Sequence, residues 1–252
     1  MKKIFLPTSF LCLLTVVSLA FTTLKARSNK SINNTAVTEK VEIAKEEKAD
    51  VLSVEAASNF IYDSLKLGSL GLPREVMNIA YKGQQNLADR GVLGNTDVIA
   101  ICDFSQSSSS KRMYIVDTKN FRVLMNTYVA HGRNSGLQYA ERFSNIPESL
   151  QSSLGFYVTK NTYFGKHGLS LKLSGLEKGF NDNAEERAVV VHGADYIGDH
   201  RLSSPYMGRS FGCPAVPQEQ AEKVINLLKN GTCLFIYHPN QQYLHGSKIL
   251  NG

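Results

Sequence analysis

From Val98 to Tyr237 the apolar residues fall into short β-branched or aromatic runs separated by turn residues, which restricts the chain to a strand-dominated fold. The runs are Val98–Phe104, Arg112–Asp117, Phe121–Ala130, Gly155–Thr159, Leu169–Leu173, Arg187–His192 and Cys233–Tyr237. A serine-rich loop, Ser105–Ser110, separates the first two, and Thr118-Lys119-Asn120 makes a tight connection between the next pair. Ahead of the strands the period is helical: Val54, Ala57, Ile61 and Leu65 mark one helix. Val76, Ala80, Gly83 and Leu87 mark a second, which begins near Pro73 and stops at Arg90-Gly91. Ala221, Val224, Ile225 and Leu228 mark a third, with Pro217 near its start and Asn230-Gly231 at its end. The expected class is mainly β (α+β), a sandwich or open barrel with a few helices.

At 252 residues and 42% apolar the chain can bury one sizeable core without disulfide staples. Only 20% of residues are charged, which excludes a disordered chain or a long charged coiled coil. The net charge is +6, but the basic residues are scattered and no stripe of them is interleaved with aromatics, so nucleic acid is not an expected partner.

Lys2 and Lys3 precede an apolar stretch from Phe10 to Phe21, with Ser18-Leu19-Ala20 as a small-x-small cleavage site. This reads as an export signal over residues 1–20 that delivers the rest to the periplasm or cell wall; a membrane is a partner only if the segment stays uncleaved as an anchor. Residues 21–50 are polar and mixed in charge and read as a spacer. Residues 51–95 are expected to form a helical extension, 96–240 the strand-rich domain and 241–252 a tail containing a solvated His245. Of Cys12, Cys102, Cys213 and Cys233, the last three survive cleavage, leaving at least one thiol without an intramolecular partner. Cys102 and Cys233 sit in apolar runs and read as buried small hydrophobes.

Cys213 differs, lying in a turn bracketed by Gly212 and Pro214 within GRSFGCPAV. The preceding apolar segment AVVVHGADY ends in His192-Gly193. A thiol reacts as thiolate, and a neighbouring imidazole can take its proton and hand it to a leaving amine. The resulting oxyanion needs N–H donors. Pro214 has none, so the donors come from Cys213, Gly212 or Phe211. His-Gly recurs at His131, His167, His192 and His245, but only His192 combines a hydrophobic strand with a cysteine turn shortly after it. His167 falls in a loop. His131 ends the run MNTYVAHG at a loop edge and is a candidate for substrate contact. So are Tyr196, closing the His-Gly segment, and Arg209, whose planar fork suits a carboxylate.

The pairing of strand-HG with S-x-G-C resembles the L,D-transpeptidase catalytic-domain family, most closely the branch whose cysteine turn reads GRSxGCPA. The likeness extends over roughly Val98 to Tyr237 and includes SSLGFYVT (Ser152–Thr159). The resemblance implies that Cys213 is the nucleophile and His192 the general base. It also implies that the carbonyl of Gly193 holds the imidazole in its useful tautomer and that Ser210 is the hydroxyl of the cysteine turn. It implies ping-pong acyl transfer on peptidoglycan stem peptides: attack on the third-residue carbonyl, loss of D-alanine and transfer to an amine, giving 3-3 crosslinks. Water as acceptor would make the protein an L,D-carboxypeptidase. No cofactor or metal is implied, and carbapenem β-lactams are the implied inhibitors. Two departures stand out. The family commonly has a histidine directly before G-C, where this chain has Phe211, and DHRLSSPYMG enlarges the loop between base and nucleophile.

Other classes fit less well. A papain-like peptidase presents cysteine before histidine, and a sortase-like transpeptidase wants an arginine after its cysteine, which is absent here. A zinc hydrolase would need His192, His200 and Cys213 as ligands with Asp199 as base, without a compact ligand motif. A non-catalytic wall-binding module lacks the tryptophan expected of a glycan-stacking surface.

Overall fold

The computed structural model describes residues 53–252. The expected export signal, spacer and Cys12 lie outside the described residues. The chain is helical over residues 53–64 (α1), passes a short turn of 3-10 helix at Leu67–Leu70 and forms α2 at Arg74–Asp89. Pro73 is the N-cap of α2, and the helix ends at Arg90 just before Gly91. Its buried face is Val76, Met77, Ala80, Gly83, Gln84 and Leu87, the apolar stripe of the sequence with one polar member. That member, Gln84, donates from Nε2 to the carbonyls of Thr96 and Val98, pinning α2 along the first strand. Gly83 lets the helix approach the sheet, because a Cβ there would lie 2.0 Å from Cζ of Phe156, itself stacked on Phe235.

Eight strands form one sheet: β1 Asn95–Asp103, β2 Met113–Asp117, β3 Arg122–Thr127, β4 Gly155–Gly165, β5 Gly168–Gly175, β6 Val190–Ala194, β7 Ala215–Pro217 and β8 Thr232–Tyr237. Their order is β3-β2-β1-β8-β4-β5-β6-β7, with β1·β8 and β6·β7 parallel and the rest antiparallel. Beyond β3 the chain reaches across to the other edge, where the Ala130 amide donates to the Ala215 carbonyl and Gly132 bridges Ser210. The sheet therefore curls into a nearly closed barrel, with this segment covering part of the β7 edge. The architecture is α+β with few helices. α3 (Ala221–Leu228) buries Ala221, Val224, Ile225 and Leu228 against β5 and β6. Residues 241–252 carry α4 (Gln241–Gly246) and α5 (Lys248–Asn251), which bury Tyr243, Ser247, Ile249 and Leu250, whereas His245 is exposed.

Three strand expectations shift. The run through Ala130 ends its ladder at Thr127 and continues as isolated bridges. The run begun at Arg187 becomes strand only at Val190, because Arg187 closes a turn on Asn183 and Ala188 takes a left-handed φ of 51°. β7 has no counterpart in the sequence reading, since three residues ending in a proline carry no periodic signal.

Candidate active site

β6 and β7 bring the two motifs together. The parallel ladder pairs His192 with Ala215, which sets the cysteine turn beside Val190. The Val190 amide donates to Cys213 Sγ at 3.5 Å, and the thiol donates to the Ala188 carbonyl at 3.7 Å. The left-handed φ of Ala188 accompanies this contact. Ser210 closes the turn: its hydroxyl accepts from the Gly212 amide at 3.0 Å and donates to the Cys213 carbonyl at 2.6 Å. Gly212 has φ 125°, a conformation that suits glycine, and a Cβ there would meet the Gln151 carbonyl at 2.8 Å. The expected oxyanion donors are corrected accordingly. The N–H of Gly212 is spent on Ser210, whereas those of Phe211 and Cys213 make no hydrogen bond among the described residues.

His192 is buried on β6, and its Nδ1 lies 2.8 Å from its neighbour's carbonyl, that of Gly193. A carbonyl only accepts, so Nδ1 carries the proton and Nε2 is bare. Gly193 also lets the start of α3 and the turn before it pack close; a Cβ there would sit 2.6 Å from Gln218 and 2.8 Å from Ala221. Burial holds the His192 pKa below the usual imidazole value, and His167 pushes the same way against the Gly193 hydrogen bond. The ring of His167 stacks on His192, with centroids 4.4 Å apart and planes 27° from parallel. This partner comes from the exposed β4–β5 turn, the loop expected around His167. The usable signal is the register of β5 on β6: Ser170 pairs with His192, so a turn three residues earlier overhangs that ring.

One expectation is corrected at the sulfur. No hydrogen bond links Cys213 to His192 among the described residues, and the thiol is held by Ala188 and Val190 instead. Burial pushes its pKa up, opposed by the Val190 amide and the Arg187 guanidinium. Burial therefore favours the protonated thiol at rest. Apo enzymes often hold such pairs apart until substrate is bound. Cys102, Cys213 and Cys233 are all free; the first and last are fully buried and Cys213 is half-buried.

Arg187 was missed as a site residue, having been read as the start of a strand. It donates to the carbonyls of Ser144 (2.7 Å) and Gln151 (2.6 Å), to the Ser149 hydroxyl (3.2 Å) and to Ser153 Oγ. It thereby fixes the loop that abuts Gly212 while standing as the cation nearest in effect to the sulfur.

The expected substrate contacts separate. His131 is fully buried, taking a hydrogen bond on Nδ1 from Arg112 (2.8 Å) and facing the Gly136 carbonyl with Nε2. Burial and the adjacent guanidinium push its pKa down to about 3, so it is a neutral internal strut rather than a substrate contact. Tyr196 is half-buried against Gly208, close enough to Cys213 for the two to interact electrostatically. Arg209 commits Nη1 to the carbonyls of Arg133 (2.8 Å) and Gly136 (3.0 Å) and packs over Tyr206. Phe211 stands 69% exposed two residues before Cys213. Beside Ala188 and Val190 opens a cleft of about 510 Å³ lined also by Lys160, Tyr163, Lys172 and Glu185. The zinc alternative loses its ligand set: His200 Nε2 is at the Asp195 carbonyl (2.9 Å), and Asp199 accepts from Tyr128 (2.8 Å).

The chain matches the family model for the L,D-transpeptidase catalytic domain over residues 69–237. No curated protein matches it. Among solved structures it is similar to an L,D-transpeptidase from Mycobacterium smegmatis, at 12% identity over 56% of this chain and 59% of that one, with a TM-score of 0.35. L,D-transpeptidase 3 from Mycobacterium tuberculosis gives 12% over 56% and 61%, with a TM-score of 0.36. An L,D-transpeptidase solved in complex with imipenem gives 11% over 56% and 59%, with a TM-score of 0.35. The chain thus spans about three-fifths of the length of these relatives. With the family model covering well over half of its residues, including both the His-Gly strand and the cysteine turn, the chain belongs to the L,D-transpeptidase catalytic-domain family.

Proposed function

We propose that the protein is an exported cysteine acyltransferase that crosslinks peptidoglycan by L,D-transpeptidation. The observation that carries this reading is a half-buried, disulfide-free cysteine in the turn leading into β7, the strand paired with that of His192, whose Nε2 is left bare by the Gly193 carbonyl. In the first half-reaction the Cys213 thiol gives its proton to His192 Nε2, and sulfur attacks the third-residue carbonyl of a tetrapeptide stem. The amide N–H groups of Phe211 and Cys213 receive the oxyanion. The C–N bond to the terminal D-alanine breaks as the imidazolium returns the proton to the leaving amine. In the second, His192 takes a proton from an amine of another stem as that nitrogen attacks the thioester; the C–S bond breaks and the thiol is regenerated. Arg187 favours the thiolate through its charge. Export by residues 1–20, a spacer over 21–50 and action in the periplasm or wall belong to the same proposal.

The test is intact-mass measurement after exposure to a carbapenem. The family relative solved with imipenem motivates this probe. The expected result is one adduct mapping to Cys213 in the native protein and none in Cys213→Ala. An adduct on Cys102 or Cys233, or no adduct at all, overturns the proposal. Incubation with a tetrapeptide stem and an amine acceptor then gives D-alanine release with a crosslinked product; release without crosslink identifies a carboxypeptidase.

A further inference from the structure

Acyl transfer to an amine brings two substrates in turn to one sulfur, and a second cleft lies beyond Phe211. It encloses about 400 Å³ and is lined by Arg133, Arg142, Arg209, Glu141, Gln138 and Tyr139. Its floor is wired to the cysteine turn: the Arg133 amide donates to the Ser210 carbonyl at 2.8 Å, and Ser210 donates back to the His131 carbonyl at 3.0 Å. The amides of Glu141 and Arg142 both donate to the Ser135 carbonyl, so the far wall is held by backbone bonds. Three guanidinium groups therefore meet one carboxylate in a preformed hollow. No ion pair or hydrogen bond engages the side chains of Arg133 or Arg142 among the described residues. Arg209 is anchored through Nη1 alone, leaving its other nitrogens for a ligand. Arg133 lies over the exposed ring of Phe211, 5.9 Å from its centroid, which makes the surface continuous from the nucleophile to the cleft. Uncompensated guanidinium forks clustered this way are matched by a carboxylate, which they can take bidentately. The exposed Leu137 and Tyr139 at the rim add an apolar and aromatic surface suited to a peptide rather than to a bare ion.

We propose that this arginine cleft is the acceptor subsite and that it selects amine-bearing peptides with a free carboxylate. The inference rests on the acyl-transfer reading of Cys213. The thiol's partners Ala188 and Val190 line the other cleft, which leaves the acyl donor there and the acceptor here.

The probe is an amine-bearing tripeptide ending in a carboxylate, compared with the same peptide as its C-terminal amide. Binding to Cys213→Ala is measured by titration calorimetry, and KM as acceptor is measured with the native enzyme. The acid is expected to bind about tenfold more tightly than the amide, the scale of one charge-assisted contact. In Arg133→Gln/Arg142→Gln the acid-to-amide ratio falls about threefold, Arg209 holding the remainder, and Arg133→Lys/Arg142→Lys restores part of it. Both arginines are exposed, so the fold is retained, and the acid–amide comparison needs no mutation at all. A ratio near one in the unsubstituted cleft, or a preference undiminished in the double glutamine variant, overturns the proposal. So does binding of a polyglycerol phosphate that the acid peptide fails to displace. Absence of any Cys213 adduct instead sinks the acyl-transfer reading, and the binding arm, run without a nucleophile, still decides the subsite.

Discussion

At the scale of single residues, the site depends on which nitrogen and which amide are left unoccupied. Gly193 occupies His192 Nδ1, so Nε2 is the only position from which the ring can act as a base. His192→Ala is expected to slow acylation of Cys213 by a carbapenem about 100-fold or more, read by time-resolved mass measurement. His131 carries a second residue-scale consequence. Its folded pKa is depressed from 6.5 to about 3, whereas the unfolded chain protonates near 6.5. Its contribution to stability is therefore complete above pH 6.5 and is lost as the pH falls toward 3, at about 1.4 kcal/mol per pH unit. Urea unfolding between about pH 7 and about pH 4 should show a shallower dependence in His131→Gln than in the native protein. Equal slopes would mean that the Arg112–His131 contact does not govern titration.

At the scale of elements, the β4–β5 hairpin delivers His167 onto the His192 ring, while the edge pairing of β6 with β7 delivers the cysteine. The stacked ring of His167 gives His192 aromatic support from an element separate from the cysteine turn. A ring contact of this kind contributes about 0.5–1.5 kcal/mol. His167→Ala should therefore lower kcat for acyl transfer about three- to tenfold with little change in KM, and His167→Phe, which keeps the face-to-face contact, should recover most of it. Failure of the phenylalanine to rescue would assign the effect to the imidazole's proton chemistry rather than to stacking.

For the whole molecule, one buried carboxylate ties the sheet to the C-terminal helices. Glu177 accepts from the Phe156 amide (2.7 Å), the Tyr243 hydroxyl (2.9 Å) and Ser247 Oγ. Burial raises its pKa, against three hydrogen bonds that favour the charged form. Glu177→Ala would leave those donors unpaired at the joint between β4, α4 and α5, a loss of about 3 kcal/mol. The Tm, followed by circular dichroism, should fall by about 10 °C. A shift below a few degrees would mean that the terminal helices are held by their apolar contacts alone.

The sequence by itself determined the strand-rich class, the apolar stripes of α2 and α3 and the identities of the cysteine turn and the His-Gly strand. These are written in local periodicity and in the backbone demands of glycine and proline. Phe211 and the enlarged loop were equally legible as departures. Only the tertiary structure decided the rest. Closure of the sheet through Ala130 and Ala215, the short β7, the stack of His167 on His192, the service of Arg187 beside the sulfur and the burial of His131 all join residues far apart in the chain. Register and burial set those contacts, and neither is encoded by spacing along the chain. The thiol's resting place on Ala188 follows from one left-handed residue, a choice made by packing around it rather than by alanine's own preference.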